Sequence, residues 1–301
     1  MKHLISIRDM TKKEILNFLN AAEKIEKSEM RPKFPDSIMS ILFFEPSTRT
    51  RFSFETAMKK LSGKTITMSG SAGTSMEKGE SFADTIKTIS RYSNIMVIRS
   101  AIEGSVRYAA EIAGIPVINA GDGANQHPSQ ALLDLYSIKK TQAGIENKTI
   151  AIVGDLKYGR AVHSLVDAMS HFAPEFYFIS PRHLRLPKKF RDELDRKKIK
   201  YNECAEIEEV IPALDIMYVT RIQRERFVDI EEYEKVKNSY VLKPEMLKNV
   251  KNNFKILHPL PRVNEIDCGV DVTPYAYYFD QAENGVYIRQ AIISILLEGA
   301  Q

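Results

Sequence analysis

The sequence predicts an α/β protein made of two doubly wound parallel-sheet domains, and three observations lead there. Strand-like and helix-like runs alternate almost throughout the 301 residues. The strand-like runs are short and apolar on both faces, as strands covered by helices on each side of a parallel sheet must be. A polar, glycine-containing break at 141–147 divides these runs into two sets. A chain of this length has room for two hydrophobic cores.

Taken in order, Thr11-Lys12-Lys13-Glu14 reads as a capping box, and Ile15, Phe18, Leu19 and Ala22 follow at helical spacing. The first set of strand-like runs is 38–44, 65–68, 95–98 and 115–118. Between the first two, Phe54, Ala57, Met58 and Leu61 form one helix face. The second set is 149–153, 176–179, 216–219 and 255–257, with Val162, Leu165, Val166 and Met169 as a matching helix face. A last helix carries Ile288, Ala291, Ile292 and Ile295 on one side. We expect it to return to the first domain, giving domains of 1–140 with 285–301, and 141–284.

Composition narrows the function. Apolar residues at 44% and charged residues at 27% fit a soluble globular protein. No apolar run approaches the ~20 residues of a membrane helix. Charges at Lys2, Arg8 and Asp9 interrupt any signal-peptide core, so a cytoplasmic location without a membrane partner is expected. Cys204 and Cys268 form no CxxC and have no nearby His pair, which argues against a disulfide framework and a structural zinc. A net charge of +4 is too small an excess to imply nucleic acid, and the basic residues are not clustered among aromatics.

In open parallel sheets, ligands bind beyond the carboxyl ends of the strands. Glu45-Pro46-Ser47-Thr48-Arg49-Thr50-Arg51 follows the first run and opens a helix, and Arg99 follows the third. Asn119-Ala120-Gly121-Asp122-Gly123 follows the fourth and leads to Gln126-His127-Pro128-Ser129-Gln130. In the second set the corresponding segments are 154–160, Thr220-Arg221-Ile222-Gln223, and His258-Pro259-Leu260-Pro261-Arg262. Arginine recurs at these ends with almost no free carboxylate, so the ligands should carry several negative charges.

Ser47–Thr50 is the sharpest string. Hydroxyls and backbone N–H groups at a helix start align with the positive end of the dipole, and Arg49 adds a planar fork suited to phosphate. The plainer alternative makes Ser47 or Thr48 a helix cap and Arg49 a solvated side chain. His127 reads as a hydrogen-bond donor to a carbonyl oxygen, or else as a satisfied core histidine. It has no second His, Cys or acid at metal-like spacing. Segment 154–160 lacks G-x-G-x-x-G and places Lys157 and Arg160 where a backbone would approach a pyrophosphate, against a nicotinamide site.

Together these strings resemble the aspartate/ornithine carbamoyltransferase family over about 41–296. Ser47-Thr48-Arg49-Thr50-Arg51 is similar to the family's carbamoyl-phosphate signature, and His127-Pro128-Ser129-Gln130 to its second. Asp155–Arg160, Thr220–Gln223 and His258-Pro259-Leu260-Pro261 look like its aspartate branch. The resemblance implies transfer of a carbamoyl group from carbamoyl phosphate to L-aspartate, a step of pyrimidine biosynthesis, in an active-site cleft between the two domains. It gives the phosphate to Ser47, Thr48, Arg49 and Thr50 with Arg99, and the carbamoyl oxygen to the catalytic donors Thr50, Arg99 and His127. Gln130 would accept from the carbamoyl amide, and the carbonyls of Pro259 and Leu260, before a cis Leu260–Pro261 peptide, would orient the carbamoyl and amino groups. Arg160, Arg221, Gln223 and Lys78 would bind aspartate, with Ser75 and Lys78 entering from a neighbouring subunit of a homotrimer with shared active sites. Glu45 would bridge to Arg160 and Arg226 on closure, its plainer alternative being a charge at a helix N-terminus. No cofactor or metal is implied, and the resemblance leaves room for a separate regulatory chain.

The chain departs from better-known members in three places. The loop at 74–80 is a residue shorter with one lysine, Ser100 stands where a histidine is common, and Asn264 where an aspartate is. Two competing readings stay open here. Ornithine carbamoyltransferase shares the first two signatures, but typically has cysteine at the place of Pro259 and lacks the Arg221-x-Gln223 pattern. A basic RNA-binding or acidic-partner-binding module would instead spread its arginines over one exposed face.

Overall fold

The structure is a computed structural model that describes residues 1–70, 73–224, 227 and 229–300. The chain divides into two compact units, Met1–Leu133 with Glu283–Gln301, and Asp134–Ala282.

The first unit begins with α1 (Lys12–Glu26). Its capping box forms as the sequence requires: the Thr11 hydroxyl accepts from Glu14 N at 3.3 Å, and Glu14 Oε2 accepts from Thr11 N at 2.8 Å. Then follow β1 (Ile38–Phe43), α2 (Thr48–Lys60), β2 (Lys64–Ser69), α3 (Phe82–Ile89), β3 (Ile95–Ser100), α4 (Ser105–Ile112) and β4 (Val117–Asp122). They make a parallel sheet of order β2-β1-β3-β4. β1, β3 and β4 are almost entirely buried, whereas β2, at the edge, is mostly exposed. α5 (Pro128–Thr141) carries the chain into the second unit.

The second unit holds β5 (Thr149–Val153), α6 (Arg160–Met169), β6 (Glu175–Ile179), α7 (Lys188–Arg196), β7 (Lys200–Cys204), β8 (Ile216–Val219), α8 (Ile230–Val236) and β9 (Lys255–Leu257). Its sheet is also parallel, in the order β7-β6-β5-β8-β9. α9 (Tyr278–Glu298) then leads back to the first unit, where Ile288, Ala291 and Ile292 are fully buried.

Three sequence expectations need correction. β7 is an edge strand of sequence Lys-Tyr-Asn-Glu-Cys, mostly exposed, so no apolar run announces it. β3 runs two residues further than 95–98, which puts Arg99 inside the strand, opposite Phe43, rather than after it. β4 starts and ends later than 115–118, because Asn119, Ala120 and Asp122 are buried strand residues and not a loop.

Each sheet has one pair of neighbours from which the strand order runs outward in opposite directions: β1 and β3 in the first, β5 and β8 in the second. Winding reverses there, and the chain leaving the two strands diverges to leave a crevice at their carboxyl ends. In the second unit Gly154 follows β5 and Thr220 follows β8. Thr220 N–H donates to Val153 O at 2.9 Å, and Gly154 N–H to Ile179 O at 3.0 Å. Gly154 has φ +114°, and a Cβ placed on it would lie 2.0 Å from Thr220 O, so only glycine fits.

The opposite end of this sheet is closed by Asp215. Its carboxylate accepts from Thr149 N at 2.9 Å, Lys251 Nζ at 2.9 Å and Asn253 Nδ2 at 3.1 Å. Burial pushes this carboxyl up, but the bonds from Lys251, Thr149 and Asn253 outweigh it and hold the group below its ordinary value of 3.8.

Two stability predictions follow from these contacts. Gly154→Ala should destabilise by about 3 kcal/mol or more, read as a lower urea midpoint at unchanged slope. For Asp215, a depressed folded pKa adds stability above the unfolded value and loses it as pH falls through the folded one. The stability gap between wild type and Asp215→Asn should therefore be level near neutrality and narrow below about pH 4. A gap that stays constant down to acid pH would contradict the assignment.

Candidate active site

In the first unit, Ser47 is the N-cap of α2, with extended backbone (φ −161°, ψ 109°) and no side-chain cap hydrogen bond. The first turn, Thr48-Arg49-Thr50, contains no acidic residue. The cap thus brings no hydroxyl and the turn no acid of its own to these N–H groups, which suits a helix N-terminus that receives an anion. Thr48 and Arg49 are exposed, Ser47 is half-buried and Thr50 is buried.

Register brings the next group alongside. Phe43 and Arg99 are partners across β1 and β3, and Phe44 N–H donates to Arg99 O at 2.9 Å. Arg99 therefore stands at the same switch point as the start of α2. Its guanidinium donates from Nη1 to Ala120 O at 3.2 Å. Its Nε lies 3.2 Å from Glu45 Oε2, an ion pair too far off line to count as a hydrogen bond. The Glu45 carboxylate thus has an arginine neighbour within its own unit. Arg226, expected as one of its partners on closure, lies outside the described residues.

His127 and Gln130 flank the start of α5, both buried, with His127 O accepting from Gln130 N at 3.0 Å. The segment before them is ordered by Asp122, which is 1% exposed. One oxygen accepts from Asn119 Nδ2 at 2.9 Å and Gln126 N at 3.1 Å. The other accepts from Gly104 N and Asn125 Nδ2, each at 3.0 Å. Four donors satisfy this buried carboxylate and fix the entry to His127. Sequence reading missed the role, although an acid between two glycines at a strand end was a visible signal.

Ser75 and Lys78 bound a short 3-10 turn and are exposed. Gly73 and Gly79 on either side take positive φ, +74° and +94°, and Gly73 N–H donates to Glu77 Oε2 at 2.9 Å. No residue of the turn is buried.

In the second unit, Arg160 opens α6 and is 8% exposed. The approach to it is a tight turn in which Asp155 Oδ1 accepts from Lys157 N at 3.1 Å and Tyr158 N at 2.9 Å. His163, one turn into α6, bonds through Nε2 to Leu156 O at 3.0 Å and stacks on Phe190 with ring centroids 4.4 Å apart. Arg221 and Gln223 follow β8 and are half-buried. Arg160 and Arg221 therefore come from the two strands of this sheet's switch point, β5 and β8.

Pro259 and Leu260 follow β9, and the Leu260–Pro261 peptide is cis as the resemblance implied. Sequence reading missed what lies behind them. His258 and Glu265, 2% and 5% exposed, are joined at 2.7 Å between Nε2 and Oε1. Burial pushes the Glu265 carboxyl up, but the His258 bond and the N–H groups of the 263–265 turn hold it below its ordinary range. No motif spacing pairs these two residues.

The comparisons with known proteins cover both units. Residues 2–140 match the model of the aspartate/ornithine carbamoyltransferase carbamoyl-P binding domain, and 146–296 that of the Asp/Orn binding domain. An aspartate carbamoyltransferase catalytic subunit from Thermococcus kodakarensis is 53% identical over 300 residues, covering 98% of this chain and 97% of that one. The one from Parabacteroides distasonis is 52% identical over 297 residues, at 98% and 97% coverage. Among solved structures, the catalytic subunit of M. jannaschii aspartate transcarbamoylase aligns with TM-score 0.92 at 51% identity over 99% of each chain. The Trypanosoma cruzi enzyme in complex with carbamoyl phosphate and aspartate aligns at TM-score 0.91 and 32% identity, over 97% and 96%. This chain belongs to the aspartate/ornithine carbamoyltransferase family and carries both of its domains in order.

Proposed function

We infer that the chain transfers the carbamoyl group of carbamoyl phosphate to the amine of L-aspartate, releasing N-carbamoyl-L-aspartate and phosphate. The observation that carries this is the pairing of cationic side chains at both switch points, Arg49 with Arg99 and Arg160 with Arg221. One pair suits a phosphate and the other a dicarboxylate. The Arg221-x-Gln223 pattern also speaks against ornithine, whose cationic side chain would meet arginine where it needs an acid. Family membership and the placement of the arginines at strand ends leave the nucleic-acid alternative without support.

In this reading the amine attacks the carbamoyl carbon, a tetrahedral oxyanion forms, and phosphate departs. Phosphate is already a good leaving group, so no side-chain nucleophile is needed. The protein supplies positioning of two anions that repel each other in water, and donors aimed at the oxyanion. Ser47, Thr48, Arg49 and Thr50 hold the phosphate with Arg99. Thr50, Arg99 and His127 donate to the carbamoyl oxygen, and Gln130 accepts from its amide. Arg160, Arg221 and Gln223 hold the aspartate carboxylates with Lys78, while the Pro259 and Leu260 carbonyls orient the carbamoyl and amino groups. Glu45 with Arg226 is assigned to closure. We further propose a cytoplasmic homotrimer in which Ser75 and Lys78 complete a neighbour's site.

An acceptor assay with carbamoyl phosphate tests the core of this proposal: aspartate should be carbamoylated and ornithine should not. Within it, Arg49→Ala should lower the rate about 10²-fold without unfolding the protein. Arg221→Ala should raise the aspartate KM by orders of magnitude and leave carbamoyl-phosphate affinity near normal. If Arg221→Ala weakened both substrates equally, its role as an acceptor clamp would be lost.

Shared sites make a separate prediction. Inactive Arg49→Ala and Lys78→Ala proteins, mixed, dissociated and reassociated, should regain activity, because both defects can fall in one site and leave another intact. A mixture as inactive as its parents, with subunit exchange demonstrated, rules the shared site out.

A further inference from the structure

Behind the Pro259–Leu260 segment, the His258 ring has different neighbours at its two nitrogens. Nδ1 accepts from Leu260 N–H at 2.8 Å, and Nε2 meets Glu265 Oε1 at 2.7 Å. A ring nitrogen that accepts an N–H bond carries no proton, so the proton of the neutral ring is on Nε2, facing Glu265. Glu265 has its other oxygen committed, since Oε2 accepts from Val263 N and Asn264 N, each at 3.1 Å. An ionised carboxylate offers only acceptors, and this one has a single tautomer of His258 to accept from.

The backbone of His258 is anchored as firmly. Its N–H donates to Gln281 Oε1 at 2.8 Å, and Gln281 Nε2 donates to Asp134 Oδ1 at 2.7 Å. Asp134 Oδ2 in turn accepts from the buried Tyr218 hydroxyl at 3.0 Å. Leu260 itself has φ +54°, a conformation that a leucine keeps only when its surroundings hold it.

The Leu260 N–H belongs to the same planar peptide as the Pro259 carbonyl. That peptide is trans, so the N–H and C=O point to opposite edges of one rigid plate. Fixing the N–H fixes the direction of the carbonyl. We propose that His258, held by Glu265 as its neutral Nε2–H tautomer, is a positioning residue that aims the Pro259 carbonyl at the reacting groups. The proposal rests on the function inferred above, which gives that carbonyl to the substrates. With the proton on Nδ1 instead, two donors would face each other and the plate would have to turn.

Two measurements test it. Neutron diffraction on the deuterium-exchanged protein should show a deuteron on His258 Nε2 and none on Nδ1. A deuteron on Nδ1 overturns the proposal, whether or not any variant folds. The second compares His258→Asn with His258→Gln. The Asn oxygen falls near the place of Nδ1 and can still accept from Leu260 N–H, while losing Glu265. Gln reaches toward Nε2 and can still donate to Glu265, while losing Leu260. A positioning role predicts that the Asn variant keeps kcat within about tenfold and the Gln variant loses about 10²-fold. A merely structural pairing with Glu265 predicts the reverse order, and that order would overturn the proposal. Wild type assayed alongside separates the two levels: no carbamoylation of aspartate by wild type refutes the function itself, leaving the tautomer to stand or fall on diffraction.

Discussion

The site depends on one topological constraint, the reversal of winding between two neighbouring parallel strands. From β1 and β3, and again from β5 and β8, the chain departs toward opposite sides of the sheet. Only at such a pair do two strand ends, and the helix that follows one of them, face the same crevice. Everything assigned to substrates in the first unit lies on the segments after β1 or β4, at the end of β3, or on the turn at 75–78. In the second unit it follows β5, β8 or β9. Gly154 records how close the constraint brings the chain, since no side chain fits between β5's exit and Thr220.

Much of this was legible in the sequence, for a physical reason that also explains the failures. Strands 149–153, 216–219 and 255–257 have the bounds read from the sequence, because burial on both faces demands an unbroken apolar run. The same logic hides β7, an edge strand whose polar residues face solvent. It also cut β4 short. Asn119 and Gln126 look like loop residues until their partners are known, and those partners come from far along the chain. Asn119 Nδ2 donates to Ile5 O, and Gln126 Oε1 accepts from Ile7 N, more than a hundred residues away. Polar burial is paid for by long-range partners that no local pattern reveals.

The site residues were easier to read than the groups that hold them. Arg49, Arg160 and Arg221 declare themselves because arginine at a strand end is chemically unusual. His258 and Glu265 serve by being bonded to each other and to backbone, and such a buried pair leaves no trace in spacing. Arg99 falls between these cases. Its chemistry was legible, but its place inside β3, opposite Phe43, required the register of two strands separated by a whole helix–strand unit.

A pocket that gathers anions faces a further demand, because any carboxylate used to build it competes for its cations. The Asp122 carboxylate takes four donors, none of them charged. Glu265 takes two backbone N–H groups and the imidazole of His258, whose other nitrogen accepts from Leu260. Both acids order backbone without drawing on an arginine. Other carboxylates do pair with cations, as Asp215 with Lys251 at the opposite end of the sheet, Glu203 with Arg185 and Arg191 on the edge strand, or Asp271 with Arg262. Glu45 beside Arg99 differs, standing at the mouth of the first unit's switch point. There a carboxylate serves a different purpose. Under the proposed reaction, a phosphate at Arg99 would meet a guanidinium that already has an acid beside it.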